Sequence, residues 1–310
     1  MIKILQGNCL DKIKELDDNS IDCVVSSPPY FGLRDYGVDG QFGLEKTYQE
    51  YIANTVKVFE TFKPKLKDTA TIWWNVGDSY ASFRPMGTSD NGQYGGIVSK
   101  AYSGHLKLND IGRSGKTSKV PGNHYRGRGK ISGCLKPKDL LMIPNRVAIA
   151  LQEDGWYIRS EIIWHKPNPM PESVRDRPTS AHEKIWLITK NKKYYYDADA
   201  IKEPCKVQVS KKTKIRFGGN KYGDSKDKHH QTKSGNNYID TGLKNKRNVW
   251  TVSTKPFKDA HFATFPKDLI EPCIKAGCPE GGTVLDPFGG SGTTGIVAGL
   301  NNRHAILIEL

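Results

Sequence analysis

The chain has 310 residues, 36% of them hydrophobic, and a formal net charge of +14, which suffices for one large core or two modest ones. No apolar run nears the ~20 residues that a bilayer span requires, which excludes an integral membrane protein. The opening "MIKILQGNCL" has neither the apolar stretch nor the small-residue cleavage site of a secretory leader, so a cytoplasmic protein is expected.

The aliphatic parts alternate between strand and helix patterns. "IDCVVSS" (21–27) reads as a buried strand. "YQEYIANTVKVFETF" (48–62) places Tyr51, Ile52, Val56, Phe59 and Phe62 on one helical face. "TATIWWNV" (69–76) is the next strand, and "DLLMIPNRVAIALQEDG" is a helix with Pro144 near its first turn and Gly155 as its stop. "WYIRSEIIW" (156–164) and "KIWLITK" (184–190) read as adjacent strands. "FPKDLIEPCIKAG" is a helix opened by Pro266 and closed by Gly277. The strand "GTVLDPF", a glycine turn, the helix "TTGIVAGLNN" and the strand "HAILIEL" end the chain. This alternation predicts an α/β domain with a mostly parallel sheet and no internal repeat.

Charge is unevenly placed. Residues 81–135 net +7 and residues 201–260 net +10, leaving −3 for the rest. Both segments are poor in aliphatics, and a pair of solvated loops would explain the polarity but not the shared sign. Clustered Lys and Arg with interleaved Tyr, Asn and His suit a polyanion-binding surface, because each neutralised phosphate releases counterions. The six cysteines (Cys9, Cys23, Cys134, Cys205, Cys273, Cys278) form no C-x-x-C pair and read as reduced thiols. No metal site is expected from them, since Cys273 and Cys278 lack partners for tetrahedral zinc.

"VLDPFGGSGTTG" (284–295) is a strand, a glycine turn and a helix start. Gly290, Gly292 and Gly295 match G-x-G-x-x-G, and Glu309 ends the next strand, where a ribose-binding acid belongs. The plain alternative is a tight β–α turn with a solvated Glu309. No Lys follows the glycines, which excludes a Walker A loop. A dinucleotide fold is expected to continue with further βαβ units, whereas here Leu310 follows one strand later. Asp286, at the end of the first strand, suits a cationic ligand better than a pyrophosphate. Both points favour S-adenosylmethionine. In "SSPPY" (26–30), Pro28 and Pro29 fix φ and remove two N–H donors, which frees carbonyls for a ligand. The Pro28 carbonyl and the Ser27 hydroxyl would accept from an exocyclic amine and localise its lone pair. Tyr30 would stack on the base, which must be flipped out of a duplex.

"SSPPY", "DPFGGSGTT" and "IIWHKPNPMPESVRDRPTSAHEKIWLITK" (162–190) together resemble the amino-group DNA methyltransferases, which methylate cytosine-N4 or adenine-N6. The order of the motifs resembles the β-class permutation. The resemblance implies a Rossmann-like S-adenosylmethionine-dependent methyltransferase fold, with a mostly parallel sheet, helices on both faces and a C-terminal cofactor turn. It implies one catalytic domain over 1–310, a basic insert at 81–135 and a target recognition region at 201–258. Carried over by position, Ser27, Pro28, Pro29 and Tyr30 are catalytic. Asn8, Thr264, Phe265, Pro266, Asp286, Phe288, Gly290, Gly292, Thr293 and Glu309 bind the cofactor. Asn8 stands where the family usually has Asp. Implied partners are double-stranded DNA and, where one exists, a cognate restriction endonuclease, in a prokaryotic or phage setting.

Ser at the head of the tetrapeptide is associated in this family with cytosine-N4, while Asp or Asn marks adenine-N6. Cytosine is therefore the expected base and adenine the alternative. A permuted nicotinamide enzyme and a non-catalytic nucleic-acid-binding protein are more remote. His182 and Glu183 read as structural or base-pocket residues, because the proton can leave after the methyl arrives. Trp164, His165 and Lys166 read as fold and DNA-edge residues, and Trp250 as a core anchor.

Overall fold

The computed structural model describes residues 1–33, 41–81, 135–205, 242–254 and 265–310. Most of both basic segments, and Thr264, lie outside the described residues.

Eight strands form one sheet in the order β1-β10-β9-β2-β3-β5-β4-β8. The central strands are β2 (Ile21–Ser26), β3 (Leu66–Val76) and β9 (Thr283–Asp286). All six residues of β2 are buried, as are residues 70–76 of β3. Along β3 the side chains alternate, with Ile72, Trp74 and Val76 entering one core and Trp73 the other. Outside these lie β1 (Ile2–Gln6) and β10 (His304–Glu309) on one flank. On the other flank lie β4 (Tyr157–His165), β5 (His182–Thr189) and β8 (Val249–Thr251). β5 runs antiparallel to β3 and β4, and every other neighbouring pair is parallel. Two-residue strands β6 (Glu203–Pro204) and β7 (Leu243–Lys244) pair separately.

Helices cover both faces. On one, α1 (Cys9–Lys14), α2 (Tyr48–Phe62) and α3 (Ile143–Glu153) bury Ile13, Phe59, Phe62, Val147 and Leu151 against Trp74 and Ile188. On the other, α4 (Lys267–Gly277) and α5 (Thr293–Leu300) bury Leu269, Ile274 and Val297 against Val25, Val284 and Leu307. Thr47 and Glu50 close a capping box at the start of α2. Its buried stripe is Tyr51, Thr55, Val58, Phe59 and Phe62, so Ile52 and Val56 stand at the margin of the expected face. Pro144 opens α3, and Gly155 follows it at φ +90°. Trp250 is buried, as expected of an anchor.

The sheet order turns back on itself between β9 and β2. From β2 the chain winds outward through α2 to β3, whereas from β9 it winds the other way through α5 to β10, beyond which β1 pairs. In an open parallel sheet this reversal leaves a crevice beyond the carboxyl ends of the two strands, where ligands bind. The tetrapeptide follows β2 and the glycine turn follows β9.

Candidate active site

A buried carboxylate ties the two segments together. Asp286 Oδ1 accepts from the Ser26 hydroxyl at 2.6 Å and the Phe288 N–H at 3.1 Å, and Oδ2 accepts from the Thr294 hydroxyl at 2.6 Å. Burial pushes the Asp286 carboxyl up to about 6, against the pull of these donors. Both oxygens are thus taken by the protein, and the acid braces the end of β2, the turn and the start of α5. Asp286, expected to bind the cofactor, is thus also the brace between β2, the turn and α5.

Gly290 (φ +49°) and Gly292 (φ +78°) bend the turn through left-handed backbone. Glu309 reaches across to take the Gly290 N–H on Oε2 at 2.7 Å, and its carbonyl takes the Gly7 N–H at 2.7 Å. That bond sets the β1–α1 corner beside the turn. The Asn8 Oδ1 accepts from the Leu10 N–H at 2.9 Å, making Asn8 the N-cap of α1. Phe288 lies 5.3 Å from Phe42, centroid to centroid, and Phe42 lies 5.0 Å from Tyr51. Tyr51 in turn donates to the Pro29 carbonyl at 3.2 Å, so an aromatic row joins the turn to the elbow.

Pro28 is buried, and Ser27, Pro29 and Tyr30 are half-buried. The Tyr30 hydroxyl receives a hydrogen bond from Ser27 Oγ at 3.1 Å and donates to Glu183 Oε2 at 2.6 Å. Asn75 Nδ2 donates to Tyr30 Oη at 2.8 Å and to Glu183 Oε2 at 3.0 Å. Lys166 pairs with the other oxygen of Glu183 and lies 4.4 Å from the centre of the Trp164 ring. Burial, and then the neighbouring Glu183 charge, push the Tyr30 phenol up. The Tyr30 ring lies on Gly77, where an added Cβ would stand 2.5 Å from Cε2, so no other residue fits there without moving the ring.

A small cleft beside the elbow is lined by Val25, Ser26, Trp73, Asn75, Ile185 and Phe265, with Pro266 capping α4 behind Phe265. The Asn75 Oδ1 is buried without a hydrogen-bond partner, an unmet acceptor at the edge of this cleft.

The expected residues from the tetrapeptide, the glycine turn, Asn8 and Glu309 therefore gather at one edge of the sheet, with Phe265 bordering them. Asn75, Gly77 and Phe42 were not expected there. The Asn and Gly at and just past the end of "TIWWNVG" were the available signal, because strand ends over a crevice carry ligands. Among the described residues no group of three or more His, Cys, Asp or Glu is placed to hold a metal ion.

The DNA methylase family matches residues 21–310. The type II methyltransferase M.Cfr9I of Citrobacter freundii is 42% identical over 99% of this chain and 83% of its own. M.SmaI of Serratia marcescens is 41% identical over 99% of this chain and 86% of its own. Among solved structures, the PvuII DNA methyltransferase (cytosine-N4-specific) superposes with a TM-score of 0.60 at 16% identity, covering 100% of this chain and 82% of that one. A putative DNA modification methylase of Thermus thermophilus, solved with S-adenosyl-L-methionine, gives 0.56 at 17% identity, covering 100% and 88%. At those identities the two structures speak to the fold, which they share, while the sequence match over nearly the whole length places this chain in the DNA methylase family.

Proposed function

We propose that this protein methylates the exocyclic N4 amine of a cytosine flipped out of double-stranded DNA. The methyl donor is S-adenosylmethionine, whose sulfonium supplies an electrophilic methyl carbon. The observation that carries the reading is the Ser26–Asp286 bond, which holds the elbow after β2 against the glycine turn after β9. The unmet Asn75 Oδ1 and the left-handed glycines fit a ligand with amine hydrogens and a ribose. Glu309 is the ribose acid, and Phe288, Gly290, Gly292 and Thr293 form the wall of the cofactor site. Asn8, Phe265, Pro266 and Thr264 close it, the last lying outside the described residues. Asp286 belongs to the same cofactor site and braces its wall.

Ser27 Oγ and the Pro28 carbonyl accept from the amine and turn its lone pair out of the base plane. Pro29 keeps the elbow stiff, with its carbonyl held by Tyr51. Tyr30, fixed at its hydroxyl and backed by Gly77, forms the wall for the base. The chain is read as one catalytic domain over 1–310, in which the basic stretches 81–135 and 201–258 grip phosphates and the second reads the target sequence. Ser27, at the head of the tetrapeptide, favours cytosine through the association of that residue with cytosine-N4 in this family. Incubation with duplex DNA and methyl-labelled cofactor, followed by digestion to nucleosides and mass spectrometry, tests this. N4-methyldeoxycytidine is expected. N6-methyldeoxyadenosine alone would transfer the reading to adenine, and unmodified DNA would end it.

A further inference from the structure

Methylating an exocyclic amine leaves a nitrogen with one proton too many, and the Ser27–Tyr30–Glu183 chain is built to remove it. We infer that these three side chains form a proton relay whose terminal acceptor is Glu183; this rests on the amine methylation proposed above. Ser27 Oγ donates to Tyr30 Oη at 3.1 Å, and Tyr30 Oη donates to Glu183 Oε2 at 2.6 Å. The two hydroxyl protons therefore already point the same way, from the catalytic Ser27 toward a carboxylate.

The step balances. The nitrogen lone pair forms the N–C bond to the methyl carbon as the C–S bond electrons leave with sulfur. One proton of the now cationic nitrogen passes to Ser27 Oγ. The Ser27 proton moves to Tyr30 Oη, and the Tyr30 proton moves to Glu183 Oε2. Both hydroxyls are restored, and Glu183 becomes a carboxylic acid with the Lys166 ammonium on its other oxygen. Its side chain is 15% exposed, so the proton can pass to water before the next turnover.

The neighbours single out Glu183. Asn75 donates to both Tyr30 and Glu183 and, as an amide, cannot serve as the proton acceptor. Asp286 has its oxygens bound to Ser26 at the end of β2 and Thr294 in α5, away from the Tyr30 hydroxyl. Glu309 holds the Gly290 N–H at the far side of the site. Glu183 is the carboxylate hydrogen-bonded to the tetrapeptide's own side chain. A network that only oriented Tyr30 would need an acceptor at that point, but not an ionisable one.

Glu183→Gln separates the two roles, since the amide oxygen still accepts from Tyr30 but cannot take a proton. A loss of about tenfold or more in the single-turnover methylation rate is expected, with DNA and cofactor affinities within about twofold of wild type. Tyr30→Phe, which breaks the chain at its middle, should lose as much, and the double variant no more than either alone. Added formate or acetate should restore part of the rate to Glu183→Ala. In the free protein, without DNA or cofactor, the Tyr30 ring carbon bearing the hydroxyl should shift in a ¹³C spectrum on Glu183→Ala, its signal identified by its loss in Tyr30→Phe. A wild-type rate in Glu183→Gln, on DNA the wild type methylates, overturns the relay and leaves the proposed function standing. A Tyr30 signal that ignores Glu183→Ala overturns the hydrogen bond beneath it. If the wild type methylates no DNA, the proposed function fails and the relay with it.

Discussion

Two carboxylates stand at the same edge of the sheet and live in opposite surroundings. Asp286 is 1% exposed and is held by two hydroxyls and an N–H, with no cation paired to it among the described residues. Glu183 faces a tyrosine hydroxyl, an asparagine amide and a lysine, and keeps a path to water. Neutral donors from three parts of the fold make Asp286 a fastener, because each bond ties a different segment to it. A hydroxyl chain ending on one oxygen and a path to water set Glu183 at the end of the proposed relay.

Replacing Asp286 by Ala should break the contrast most severely. It orphans the Ser26 and Thr294 hydroxyls and the Phe288 N–H, so a loss of roughly 2–5 kcal/mol is expected in urea unfolding. Cofactor affinity should fall with it. Next comes Gly77→Ala, whose Cβ would stand 2.5 Å from the Tyr30 ring. A drop of about tenfold or more in methylation rate is expected, with the unfolding midpoint changed far less, as measured by single-turnover assay and thermal melt on the same sample.

The third test uses pH. Folding raises the Asp286 carboxyl from its ordinary 3.8 to about 6, so between those values the folded chain binds more protons than the unfolded one. Stability contributed by this group is therefore greatest below about pH 4 and declines as pH rises to about 6, by roughly 1–3 kcal/mol. Asp286→Asn should remove that slope, read as the difference between the two proteins' urea unfolding free energies across this range. An identical slope in both would show that Asp286 keeps its ordinary acidity. The smallest effect is expected at Asn8. Its Ala variant should lose about 0.5–2 kcal/mol through the cap, while Asp at that position keeps it.

Much of this arrangement was legible in the sequence. The alternation of β-branched runs with amphipathic helices gave the central strands, and Pro144, Gly155, Pro266 and Gly277 marked helix ends that the structure reproduces to within a residue or two. β1 and α1 were not legible as elements. β1 is exposed along most of its length and gains its place only by pairing with β10, about 300 residues away. The partners of Tyr30 were hidden for the same reason. Asn75 and Glu183 stand 45 and 153 residues from it along the chain and meet it only because β3 and β5 are neighbours. Local pattern identifies a motif, whereas the sheet order decides which other side chains the motif touches.

The central claim is that the elbow and the glycine turn make one methyl-transfer site at the β2–β9 crevice. A crystal of the protein with S-adenosylhomocysteine tests it most directly. The account predicts the ribose against Glu309 and the sulfur between the glycine turn and Ser27. A ligand bound anywhere else on the sheet, with the crevice between Ser27 and Phe288 empty, would contradict it.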